Sequence, residues 1–202
     1  MPILPLMFAW ASCHTTKEEV FPMNYYAAKD LADSFRTVRK NTIIIAQDVP
    51  QEKYAFRAAT EARSVGELLA HIALADNFEY RIHATEHRTT LAGFDFPSLV
   101  KQFAAEEKEP RSKDQILEML RGSGEKWARW VEGLTEDFLA EQVQMSAGTA
   151  PPSKSRFEMI LSVKEHEMYH RGQLMLIERL LGIVPHMTRE MHSRLAAAAA
   201  KS

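Results

Sequence analysis

SRFEMILSVKEHEMYHRGQLMLIERLLG, residues 155–182, is the longest stretch of helical patterning in the chain. Ser155 and Glu158 form a capping box, in which each side chain satisfies a backbone N–H that the first helical turn leaves free. Gly182 and Pro185 end the helix, because glycine takes the left-handed cap conformation and proline cannot continue the ladder. Between these signals Met159, Val163, Leu174, Ile177 and Leu181 recur at helical spacing. On a wheel of about 100° per residue they fall within about 40° of His170, and His166 falls in the same arc. Gln173 lies about 60° away, beside His166. Two histidines one turn apart thus occupy the middle of an apolar stripe.

The same periodicity predicts three earlier helices. The first covers roughly 24–47, with Leu31, Phe35, Val38, Thr42 and Ile45 on one face and Asp48 and Pro50 at its end. The second opens with the capping box Ser64–Glu67 and continues through Leu68, Ile72, Ala75, Phe78 and Ile82. The third starts near Ser112, with Gln115 three residues on, and carries Ile116, Leu120, Trp127 and Val131. The connections 49–63 and 135–154 are moderate, whereas 88–111 is long and contains a short predicted helix, Ser98 to Glu107. Apart from an extended piece at Glu141 to Met145 there is no strand pattern. These elements predict an all-α four-helix bundle with one long crossover connection. The expected organisation is an N-terminal extension outside the core (1–22), the bundle (23–187), and a helical or frayed tail (188–202).

At 202 residues the chain is one domain by length. A net charge of −2 without long one-sign runs gives nucleic acid no general attraction. Cys13 is the single cysteine, so an intramolecular disulfide and a multi-cysteine zinc site are excluded; a reducing, cytoplasmic setting fits. The leading MPILPLMFAWASCH has an apolar run, yet Pro5 interrupts it and no Lys or Arg precedes it, which argues against a secretory signal. No stretch approaches the ~20 apolar residues of a membrane span.

Eight histidines have to be sorted by position. His71 faces inward on the second helix, among Leu68, Ala75 and Phe78. His83 and His87 fall about 120° and 160° from His71, on what reads as a solvated face, and receive no role. Three inward histidines are costly unless each nitrogen finds a partner. One divalent ion on His71, His166 and His170 satisfies all three; three separately hydrogen-bonded core histidines are the alternative. Imidazole ligands suit zinc, nickel and iron alike.

Residues 166–170 also read as H-E-x-x-H, the zinc-peptidase signature, with Glu167 as base and Glu190 as a downstream ligand. The extended form wants glycine at 173 and histidine at 176, where the chain has Gln173 and Leu176. No sheet edge is predicted to hold a peptide, and His71 is left unexplained. Glu167 and Gln173 stand as the catalytic candidates. No organic-cofactor motif is present.

Two segments, RSVGELLAHI (63–72) and HEMYHRGQLMLIERLLG (166–182), resemble the DinB/YfiT-like family of metalloenzymes. The resemblance implies a four-helix bundle holding one metal on His71, His166 and His170, usually as a homodimer. It also implies chemistry on small molecules, since characterised relatives include transferases and isomerases that use low-molecular-weight thiols. The expected function is activation of a small thiol or of water for transfer, isomerisation or hydrolysis of a small-molecule substrate. A metal-binding stress-response module or a metal-stabilised dimer without catalysis is the alternative, and an HExxH zinc peptidase a further one.

Overall fold

Four long amphipathic helices need a partner for each apolar stripe, and the computed structural model, which describes residues 26–200, shows them packed on one another. They are α1 (Ala28–Asp48), α2 (Val65–Tyr80), α4 (Lys113–Glu132) and α6 (Arg156–Leu180). Shorter helices are α3 (Phe96–Glu106), α5 (Glu136–Ala140) and α7 (His186–Ala199). A three-residue antiparallel pair, β1 (Gln142–Gln144) with β2 (Ser153–Ser155), lies between α5 and α6. The expectation for residues 1–22 falls outside the described residues. Among the described residues no helix is long and apolar enough to cross a membrane.

The local signals act as chemistry requires. Ser64, Ser112 and Ser155 each accept the backbone N–H three residues on, from Glu67, Gln115 and Glu158, whose side chains bond back. Helix α1 begins at Ala28 rather than near residue 24, because the Asp30 carboxylate takes the Ala27 N–H at 2.9 Å and fixes the first turn there. At the other end of α6, Gly182 adopts φ +77° and lets Ile183 N–H reach back to Glu178 O at 2.8 Å.

Two core clusters give the helix directions. At one end Ile45, Leu69, Ile116 and Leu174 pack together; at the other, Phe35, Trp127, Val131 and Ile160 do. The end of α1 and the end of α6 therefore meet the beginnings of α2 and α4. Helices α1 and α6 run one way, α2 and α4 the other. Each of α4 and α6 lies against both α1 and α2, so α1 and α2 occupy opposite corners. Because α2 and α4 are parallel, the chain between them must travel back along the bundle, roughly 24 Å for a 16-residue helix. That is the physical reason for the long crossover, and α3 lies within it.

His83 is fully buried, not solvated. A wheel extrapolated past Tyr80 fails because Arg81–Thr85 form a π-helical turn, which breaks the 100° step. In addition, Val143 and Met159 pack on Ile82 and cover that face. His83 Nδ1 takes a hydrogen bond from Arg156 at 2.8 Å, and its Nε2 lies 3.0 Å from Glu79. Arg156 also bonds Glu141 at 2.8 Å, tying the hairpin end to α2. His87 is exposed, as expected.

Leu120 is fully buried where α4 meets α1, α2 and α6. Leu120→Ala should lower stability by about 2–5 kcal/mol through lost burial and the cavity left behind, measured as the urea-unfolding midpoint at unchanged m-value.

Candidate metal centre

Helix α6 raises His166 and His170 one turn apart on the face that meets α2, and α2 presents His71 opposite them. The three Nε2 atoms converge: 3.1 Å from His71 to His166, 3.1 Å from His71 to His170, and 3.0 Å between His166 and His170. Among the described residues this is the one group of three or more His, Cys, Asp or Glu side chains whose donor atoms come within such reach of each other. His170 is buried, and His71 and His166 are half-buried.

The outer nitrogens decide the tautomers. His71 Nδ1 lies 2.5 Å from Glu107 Oε1, and Arg63 donates to the other carboxylate oxygen at 2.7 Å. Burial alone would raise the Glu107 pKa, but the His71 and Arg63 contacts hold it below the usual carboxylate range. An ionised carboxylate only accepts, so His71 Nδ1 carries a proton, and in the neutral ring its Nε2 is a bare lone pair. His170 Nδ1 donates to Gln173 Oε1 at 2.9 Å, which leaves a second lone pair on His170 Nε2. Two lone pairs 3.1 Å apart repel unless a proton or a cation lies between them. The donor set thus fits a metal ion: three nitrogens of a tetrahedral site with bonds of about 2.0–2.1 Å stand ~3.3 Å apart. Outer partners of this kind, a carboxylate and an amide, are those that ligating imidazoles recruit.

The surroundings make His166 and His170 hard to protonate. Burial pushes His166 down to about 4, with the neighbouring His170, His71 and Arg63 acting in the same direction. Burial also lowers His170, against the opposing effect of its bond to Gln173. His170 and Gln173 line a cavity of about 860 Å3, walled by α2, α3, α6 and the loop 57–63. Its rim carries Arg57, Arg63, Lys108 and Tyr169, and Leu68, Leu176 and Ile177 supply its apolar side. An imidazole cluster beside a cavity of this size can present a cation to a small molecule.

Gln173 is exposed at the cavity and bonded to His170. Glu167 is 2% exposed and faces away from the triad, with Arg39 Nε 3.0 Å from each of its oxygens. Glu190 stands on α7, exposed, 3.8 Å from Arg194, and does not join the histidines. Glu107, Arg63 and Arg39 were not singled out from sequence. Arg39 had a signal there, since it lies between Phe35 and Thr42 on the apolar stripe of α1. Glu107 closes a short amphipathic helix and had none.

The model of the DinB superfamily matches residues 34–174, and the chain belongs to that family. A DinB-like protein from Bacillus subtilis, YjoA, has a crystal structure similar in fold, with a TM-score of 0.56 at 18% identity. The match covers 75% of this chain and 92% of that one. Curated proteins give no match.

In metal-free protein the His166 ring should remain neutral down to about pH 4, read from its imidazole proton shifts by NMR. Its folded pKa lies below the unfolded 6.5, so the unfolded chain binds the proton first. The contribution of His166 to stability is therefore present above about pH 6.5 and lost as the pH falls toward 4. His170→Ala removes one of the causes and should move the His166 titration toward its ordinary range.

Proposed function

We propose that this member of the DinB superfamily binds one divalent metal ion through His71, His166 and His170 and acts on a small molecule in the adjoining cavity. The observation that carries the reading is the convergence of three Nε2 atoms within 3.1 Å of one another, beside an open cavity of about 860 Å3. Zinc, nickel and iron all suit three imidazoles, so cellular supply selects among them. When bound, such an ion acidifies water or a thiol and polarises a carbonyl.

The chain's own residues do the rest. Glu107 and Gln173 hold the His71 and His170 rings with their Nε2 lone pairs inward. The Gln173 amide NH2 is left to donate to a substrate oxygen at the cavity wall. Arg57 and Arg63 are already paired, with Glu67 at 2.5 Å and Glu107 at 2.7 Å, and keep the loop 57–63 against α2 and α3. A sulfur nucleophile in this reading is a low-molecular-weight thiol that enters the cavity. Transfer or isomerisation with such a thiol, or hydrolysis by an activated water, is the reaction class. Homodimerisation belongs to the same proposal. It is supported by exposed apolar side chains on two helices, Leu176 and Leu180 of α6 and Met187, Met191 and Leu195 of α7.

The peptidase reading loses its base, because Glu167 is enclosed by Arg39 inside the bundle. It also loses its third ligand, because Glu190 lies outside the cluster.

Metal-stripped protein should take up one equivalent of Co2+ or Zn2+, measured by calorimetry. His71→Ala should weaken uptake by at least about 100-fold, beyond the range that loss of an outer partner produces. Glu190→Ala and His83→Ala should retain it, although the latter should melt earlier because Arg156 and Glu79 lose a buried neighbour. Metal-loaded protein should then conjugate small thiols to electrophiles, or hydrolyse small esters or amides, faster than His71→Ala. Uptake retained in His71→Ala and lost in Glu190→Ala would return the peptidase. Uptake with no turnover on any such substrate would leave a binding module.

A further inference from the structure

The centre of the bundle holds an arginine on α1, a helix that supplies the triad with no ligand. Arg39 of α1 is 4% exposed, and its guanidinium touches all three of the other long helices. Nε bonds both oxygens of Glu167 on α6, each at 3.0 Å. Nη1 donates to Leu120 O at 2.7 Å and to Ser123 Oγ at 2.9 Å, both on α4. Nη2 reaches Ile72 O at 3.4 Å and Asp76 Oδ2 at 3.5 Å, both on α2. Two of these partners are chain neighbours of the histidines: Ile72 follows His71, and Glu167 follows His166.

We propose that Arg39 is the positioning residue of the triad. By gripping the Ile72 carbonyl and the Glu167 carboxylate at once, it fixes how far the His71 turn of α2 stands from the His166 turn of α6. The inference rests on the metal reading above. A planar fork of five donors suits the task, because it bonds in several directions from one rigid plane. Lysine offers a single point of charge on a flexible stem and cannot span the same partners. The bundle also makes room for the fork. A Cβ at Gly124 would stand 2.8 Å from Arg39 Cγ and Nη1, so this turn of α4 comes close only because it carries no side chain. A hydrophobic side chain would fill the same space with less desolvation. What the arginine adds is a fixed set of directions. A ligand set of two helices needs that, since each histidine is only as well placed as its turn of backbone.

The test compares two variants with the wild type in Co2+ affinity and visible d–d spectrum, both of which report the ligand geometry directly. Arg39→Lys keeps the charge beside Glu167 and loses the span. The double variant Arg39→Met, Glu167→Met removes that ion pair at similar volume and leaves Asp76 as the remaining carboxylate at the centre. Helical circular dichroism and a cooperative melt establish that each is folded. Both should bind Co2+ about 10- to 100-fold more weakly than wild type, the usual effect of losing an outer partner, with altered band intensities. Should the double variant fail to fold, Arg39→Lys decides alone. A folded variant with wild-type affinity and spectrum would overturn the positioning role and leave the metal site standing. Wild-type protein that binds no Co2+ at all would overturn both.

Discussion

With neutral rings, the outer partners leave two bare imidazole nitrogens 3.1 Å apart inside a helical bundle, a pair that demands a proton or a cation between them. This demand organises the centre of the protein. It requires α2 and α6 to be neighbours, as the diagonal placement of α1 against α2 brings about. It requires the outer ring nitrogens to be engaged, and that falls to residues from different parts of the chain. Gln173 is local, one turn along α6 from His170, whereas Glu107 arrives from the crossover 36 residues after His71. The long connection forced by the parallel run of α2 and α4 therefore has a second consequence: it delivers the carboxylate that sets the His71 tautomer.

The opposite flank of α6 has the reverse polarity. There the group at the centre is a cation, Arg39, surrounded by carbonyls and by the carboxylates of Glu167 and Asp76. Burial pushes Asp76 up to about 6, and Arg39 works against that shift. The two polar centres lie on adjacent faces of one helix, separated by about 100° between His166 and Glu167. A cluster of three imidazoles and a permanent cation thus share a carboxylate-bearing turn. Glu167 faces the arginine and not the histidines, so the cluster stays all-imidazole.

Much of this was legible from residue order. Three capping boxes, the Gly182 stop and the stripe of α6 marked three of the four long helices at their starts, because these signals act within one turn and depend on nothing distant. His71, His166 and His170 were legible for the same reason: each sits on an apolar arc that has to face inward. What was not legible depended on tertiary contact. His83 was misplaced because a π turn altered the step and the hairpin covered its face. Helix α2 is buried on nearly every side, Asp76 and Glu79 included, so a single inward arc understates it. Glu107 had no signal because its partner is 36 residues away and the path of the crossover sets their meeting.

The HExxH reading shows how one string can hold two chemistries. In a helix the residue after a ligand points about 100° from it, so its role depends on what stands on that side. Where the flank is open to solvent and substrate, that glutamate can serve as a base. Here the flank is closed by α1, and the glutamate receives an arginine in place of a water. The side chain that does reach the cavity is Gln173, three residues beyond His170, where the helix brings it back to the ligand face. A neutral amide in that position can orient a substrate but cannot accept its proton. In the proposed function, the Glu107–His71 pair is the acid–base couple that stands against the triad, beside a small molecule that a bound ion would acidify.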